Sequence, residues 1–247
     1  MLVGNPAGLL AVAGQQTNLA EEWATALATK DMRAMERLVV RGADVNVPAG
    51  DGVTALMLAA RQAERQLLTQ LLDAKAHVNA KNHRGGTALM YAVISGDRHA
   101  VQLLLSAGAA VNERAKNGWT AIMIASVKGY QEIVSLLLKQ GADINIPDIY
   151  GWTPLMRAVY EKRIPVVRML LEQRSLDIDA RNENGATALH QAAAKGHLEI
   201  AQWLITQGAD LNCADEQGRT PIMIAGAAGH TKLVDLMERA IRASDGN

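Results

Sequence analysis

The chain has 247 residues, of which 25 are acidic and 25 basic, for a net charge of zero. That balance removes the electrostatic footprint that supplies most sequence-independent affinity for nucleic acid or anionic lipid, so neither is a favoured partner. Cys213 is the only cysteine, which excludes an internal disulfide and a multi-thiolate metal site, and no stretch approaches the roughly 20 apolar residues needed to span a bilayer.

Residues 1–16 read as a tail. The segment from Leu9 to Gly14 ends in the small-x-small pattern of a secretory cleavage site, yet no Lys or Arg precedes it and Gly4, Pro6 and Gly8 interrupt its apolar character. Two readings stay open. Residues 1–13 end a signal peptide, which would place the protein in the periplasm or outside the cell, or the segment is a disordered or loosely docked tail of a soluble cytoplasmic protein.

Beyond the tail, residues 17–51 place Met35, Leu38 and Val39 as an apolar set and Glu21, Glu22, Lys30 and Arg33 for the solvent side. From Gly52 onward a pattern recurs. Thr54, Thr87, Thr120, Thr153, Thr187 and Thr220 each stand two residues after a Gly, spaced by 33 residues except for one step of 34 between Thr153 and Thr187. One closed globular core gives its elements no reason to recur in register, so this is a repeat array, a single elongated domain.

The unit from Gly185 to Gln217 serves as a template. Thr187 is a cap for a short Ala-rich helix reaching Ala194. After Lys195, Gly196 and His197, a second helix from Leu198 to Ile205 concentrates Ile200, Ala201, Trp203, Leu204 and Ile205 on one side. Gly208 closes that helix at positive φ, and the polar run Asp210 to Gln217 carries the chain to the next Gly218. Helix, turn, helix and projecting loop make up the unit.

These residues resemble the ankyrin repeat. The resemblance rests on Thr153-Pro154-Leu155, Thr220-Pro221-Ile222, the Gly-His pairs Gly196-His197 and Gly229-His230, and the closing Gly-Ala-Asp-apolar-Asn runs Gly42 to Asn46, Gly141 to Asn145 and Gly208 to Asn212. It covers about residues 18–240. It implies an all-α ankyrin-repeat solenoid, in which antiparallel helix pairs stack side by side and β-hairpin loops project at right angles. Residues 52–217 hold five full units between a capping repeat at 17–51 and a second cap with its tail at 218–247.

The chain departs from that pattern in three places. Met57, Met90, Met123, Met156 and Met223 stand where the family has His, and only His190 retains it. Because the family His orients neighbouring loops, its loss predicts weaker loop connections. The methionines read either as flexible core filling or as a thioether stripe holding copper(I) or haem, which would make the protein an accessory to a redox enzyme. The unit starting at Gly151 is irregular, with Lys162-Arg163 at the Gly-His position, Pro165 in the first turn of its second helix, and an extra residue between Arg174 and Asp179 that should loosen or redirect the next loop. Lys75 replaces a closing Gly, so either the turn changes or a non-Gly residue takes positive φ at a cost of about 1 kcal/mol.

No nucleophile-base pair, carboxylate pair, phosphate-cradling Gly loop or His/Cys/acid metal spacing is present, so no enzyme activity, cofactor or metal is expected. Asp44, Asp143 and Asp210 recur before an apolar residue and Asn, and a structural role in the loop is the preferred reading. The resemblance implies a monomeric, non-catalytic module binding a protein through the concave surface of loop tips and first helices. Positions projecting there include Trp119, Val127, Lys128, Ile149, Tyr150, Trp152, Tyr160 and Glu161, flanked by Arg157. Aromatics are scarce in this chain, and Trp and Tyr on solvent-facing positions serve as interface anchors. The competing reading has Trp119 and Trp152 stacking on neighbouring hairpins. A bacterial effector or protective protein acting on an enzyme would differ only in its partner.

Overall fold

The computed structural model describes the backbone of residues 6–245 and the side chains of residues 18–243. Fourteen helices and no β-strand occur among the described residues, and no helix there is long and apolar enough to cross a membrane. They fall into two compact units, residues 1–110 and 111–247. The first contains α1 (Pro6–Thr29), α2 (Met32–Val40), α3 (Ala55–Gln62), α4 (Arg65–Asp73), α5 (Ala88–Ser95) and α6 (Arg98–Ser106). They pair as α1 with α2, α3 with α4 and α5 with α6, with α3 packed on α5 and with α4 packed on both α2 and α6. The second contains α7 (Ala121–Lys128), α8 (Gln131–Lys139), α9 (Pro154–Tyr160), α10 (Ile164–Leu171), α11 (Ala188–Lys195), α12 (Leu198–Thr206), α13 (Pro221–Ala227) and α14 (Thr231–Asp245). Its odd-numbered helices form one layer and its even-numbered helices another.

The backbone of α1 starts at Pro6, inside the stretch read as a tail. The reading of residues 1–13 as the end of a signal peptide turns on residues 1–5 and on side chains before Asn18, which lie outside the described residues.

The recurring Thr starts the inner helices. Thr54, Thr87, Thr120 and Thr153 are extended, and each Oγ1 accepts the N–H three residues on, from Met57, Met90, Met123 and Met156, at 3.3–3.4 Å. Those four methionines are no more than 3% exposed, so their thioethers are core filling. Met223, the same residue type in the last repeat, is 59% exposed because no further inner helix follows α13 in the second unit.

His190 is built differently. Its Nδ1 accepts the N–H of its own cap, Thr187, at 3.1 Å, which leaves Nε2 as the protonated nitrogen, donating to the carbonyl of Arg219 in the next loop at 3.1 Å. Where Met replaces His this side-chain link is missing, and the main-chain link remains. One loop-to-loop backbone bond recurs with or without His, from the N–H of His83 to Asp51, Ile149 to Asn117, Glu183 to Tyr150 and Glu216 to Asn184, at 2.9–3.2 Å. The expected β-hairpins are reduced to tight turns. Each is closed by two bonds, as from the N–H of Asp148 to the carbonyl of Trp152 and from the N–H of Gly151 to that of Asp148, too few for a strand ladder.

A second link joins the base of each loop to the following repeat. The side chains of Asn46, Asn79, Asn112 and Asn145 accept the N–H of His77, Ala110, Asp143 and Asp177 at 2.7–2.9 Å and donate to the carbonyls of Lys75, Gly108, Gly141 and Ser175. The extra residue after Arg174 is absorbed before Asp177, so Asn145 still finds both partners and this link keeps its register. The loosening comes one step later. Asp179 occupies the Asn position, accepts the N–H of Asp210 at 2.9 Å, and has no N–H with which to reach the carbonyl of Gly208. Asp44, Asp143 and Asp210 each accept the N–H two residues on within their own loop, at 2.8–3.0 Å, the structural role expected of them.

Lys75 settles its alternative. It takes φ of 63°, and the turn keeps the same bonds as at Gly108, with Lys75 donating to Leu72 and Ala76 to Leu71. Lys162 likewise takes φ of 52°, and Arg163 donates from Nε to the carbonyl of Val127 at 2.8 Å, much as His230 Nε2 faces that of Ala194 at 3.4 Å.

Two predictions follow from these links. Asp179→Asn supplies the missing donor and raises stability by about 0.5–1.5 kcal/mol, read as a higher urea midpoint at unchanged slope. Burial, the leading cause, holds His190 below its ordinary value of 6.5; the Arg219 carbonyl and Asp215 oppose the shift, while Arg181 and Arg219 add to it. A depressed histidine stabilises above its unfolded value, and that contribution is lost as pH falls below about 6.5 through the folded value. His197 is depressed as well, again first by burial. His190→Met should therefore remove part of the decline in thermal stability between pH 7.5 and 5 and leave the rest.

Candidate protein-interaction surface

The candidate binding residues lie in the second unit, on the turns before α7 and α9, on those two helices and, for Glu161, just past the end of α9. The turn before α9 is organised by Asp148, whose side chain is fully buried. Its Oδ1 accepts the N–H of Tyr150 and of Trp152 at 2.9 and 3.0 Å, which fixes the direction of both aromatic side chains at their backbones. Its Oδ2 pairs with Nη2 of Arg157, nine residues on.

Arg157 rises from α9 between two indoles. Its Cζ lies 4.5 Å from the ring centroid of Trp152 and 5.5 Å from that of Trp119. Its Nε is buried without a hydrogen-bond partner among the described residues, and the negative faces of the two rings stand in for one. The ring of Trp152 meets Tyr160 edge-on at 5.5 Å and 84°. Lys195 Nζ lies 4.0 Å from the centroid of Tyr160. The result is a continuous row of rings and cations running from Trp119 through Arg157, Trp152 and Tyr160 to Lys195.

Exposure divides the candidates. Trp119 and Trp152 are half-buried within the row, with the Arg157 guanidinium of α9 between them. Ile149 and Tyr150 at the turn are 49% and 56% exposed and Tyr160 is 40% exposed, so these carry the apolar surface facing water. Val127 is half-buried with its carbonyl engaged by Arg163. Lys128 and Glu161 are exposed, at the last residue of α7 and just past the end of α9.

Sequence reasoning missed Asp148 and Lys195. The Asp four residues before Trp152 was a usable signal, because an Asp at a turn commonly accepts N–H groups ahead of it. Nothing in the sequence placed Lys195 over Tyr160, since they belong to different repeats. A similar carboxylate recurs before α13, where Asp215 accepts the N–H of Gln217 and Arg219 and pairs with the Arg219 guanidinium, which holds its carboxyl below the usual range.

Arg157 is already neutralised by Asp148, and no group of three or more His, Cys, Asp or Glu able to hold a metal ion occurs among the described residues. The surface combines a buried Asp148 paired with Arg157 and exposed apolar side chains at Ile149, Tyr150 and Tyr160. A family model described as "Ankyrin repeats (3 copies)" matches residues 23–115, 96–182 and 173–244.

Proposed function

Because the chain belongs to the ankyrin-repeat family, whose members are generally protein-protein interaction modules, we propose that it is a non-catalytic binding protein whose partner docks on the loop tips and inner helices of the second unit. The contact is centred on Ile149, Tyr150 and Tyr160, with Trp119 and Trp152 as the platform beneath them. The observation that supports this placement is the combination of exposed apolar side chains with a locked foundation. Side chains that are already ordered lose little entropy when a partner covers them, so a larger share of the burial appears as affinity. In this reading residues 52–217 are the internal repeats, and the repeats at either end close the stack.

The test is a photo-crosslinking amino acid at position 150, with position 139 on α8 as the control. A single crosslinked protein at 150 and none at 139 is the expected outcome. The double substitution Tyr150→Ala and Tyr160→Ala should then weaken that partner by about 2 kcal/mol, roughly thirtyfold, at unchanged helical circular dichroism. Unchanged affinity would move the interface elsewhere.

A further inference from the structure

The first unit holds a cleft of about 480 Å³ whose charge differs from that of the chain as a whole. It is lined by Lys30 at the end of α1, Arg61 on α3 and Arg84 in the loop before α5, with Asp51 as its one carboxylate. Asp51 is engaged in its own turn, accepting the N–H of Val53 at 3.0 Å. None of the three cations has a carboxylate within ion-pair distance among the described residues. Three cations on one small concavity in a chain of zero net charge are a local field that the composition does not reveal.

The neutral lining has the same hydrogen-bonding sense. Tyr91 accepts a bond from Asn82 Nδ2 at 2.8 Å, which leaves its hydroxyl hydrogen to donate. Arg61 lies over the Tyr91 ring, with Cζ 5.9 Å from the centroid, so its guanidinium is steered by the ring and keeps its N–H groups for an acceptor. The cleft therefore offers donors from four side chains, with the His83 ring and the second oxygen of Asp51 able to accept, against a partly apolar wall at Val53. Ionised carboxylates are acceptor-only and meet that demand. The rings on the lining are Tyr91, with one face taken by Arg61, and the small imidazole of His83, a poor platform for successive bases, which disfavours single-stranded nucleic acid.

We propose that this cleft is a second binding site, separate from the aromatic surface of the other unit, and that it takes an acidic peptide segment of a partner protein, with carboxylates on Lys30, Arg61 and Arg84. It does not depend on the reading of Tyr150 and Tyr160.

The experiment is fluorescence anisotropy on the full chain at low salt, with fluorescein-labelled decaglutamate as probe and decaglutamine and decathymidylate as comparisons. Decaglutamate should bind, weaken as salt rises, and lose about tenfold in affinity in Arg61→Gln/Arg84→Gln, while Lys139→Gln/Lys232→Gln, which removes the same charge elsewhere, changes it less than about twofold. If the double variant loses its helical signal, Lys30→Gln alone should weaken binding about threefold. Absence of decaglutamate binding, equal binding of decaglutamine, tighter binding of decathymidylate, or an equal loss in the control variant would each overturn the proposal. Tyr150→Ala should leave decaglutamate binding unchanged, which separates failure here from failure of the other surface.

Discussion

Within each unit, successive loops come close enough for one backbone N–H to reach one carbonyl, and most of the architecture serves that contact. The recurring Gly is where the approach happens. A Cβ added at Gly118 would lie 2.7 Å from the Cα of Asp148 and the N of Ile149, and one at Gly151 would lie 2.8 Å from the Cα of Asn182, distances that real side chains do not tolerate. Both glycines also hold positive φ, where an L side chain is strained in any case. Two residues later the Thr caps the inner helix. The Gly-x-Thr run is thus a joint, in which the Gly admits the neighbouring loop and the Thr turns the chain into the layer beneath. A repeat is held at its tip by that bond, at its base by the Asn side chain, and between them by the apolar stack, and each of these needs a neighbour.

Most of the fold was legible because its signals are local and repeated. Thr187 and Gly208 bounded a helix pair that the structure places at Ala188–Lys195 and Leu198–Thr206, within a residue of the expectation. What was not legible lies about thirty residues away in sequence. The substitution of His by Met could be seen, but the main-chain bonds that hold the loops regardless could not. The inserted residue after Arg174 could be seen, but not that Asn145 would recover its two partners and pass the deficit to Asp179. At Lys75 the left-handed turn persisted with its bonds intact, because abandoning them would leave carbonyls of α4 without donors.

The candidate surface shows the same division. Trp and Tyr number four each in 247 residues, so their gathering near the joint before α9 stood out. Their order of exposure did not. The indoles, the largest side chains and the first choice as anchors, are half-buried because Arg157 fills the space between them and Asp148 makes that cation tolerable there. The smaller Ile149 and the phenols of Tyr150 and Tyr160 are left outside. Differences between repeats, rather than the shared frame, give this face its character, which is how a fold made of near-identical units comes to present one surface unlike the rest.

The single loop-to-loop bonds belong to the cooperative structure of each unit. Native-state amide exchange of Ile149, Glu183 and Glu216 across a urea series measures this directly. These three loop amides should be protected and lose protection together with the helical amides of α9 and α11. Exchange at the rate of an open loop, while those helices stay protected, would contradict it.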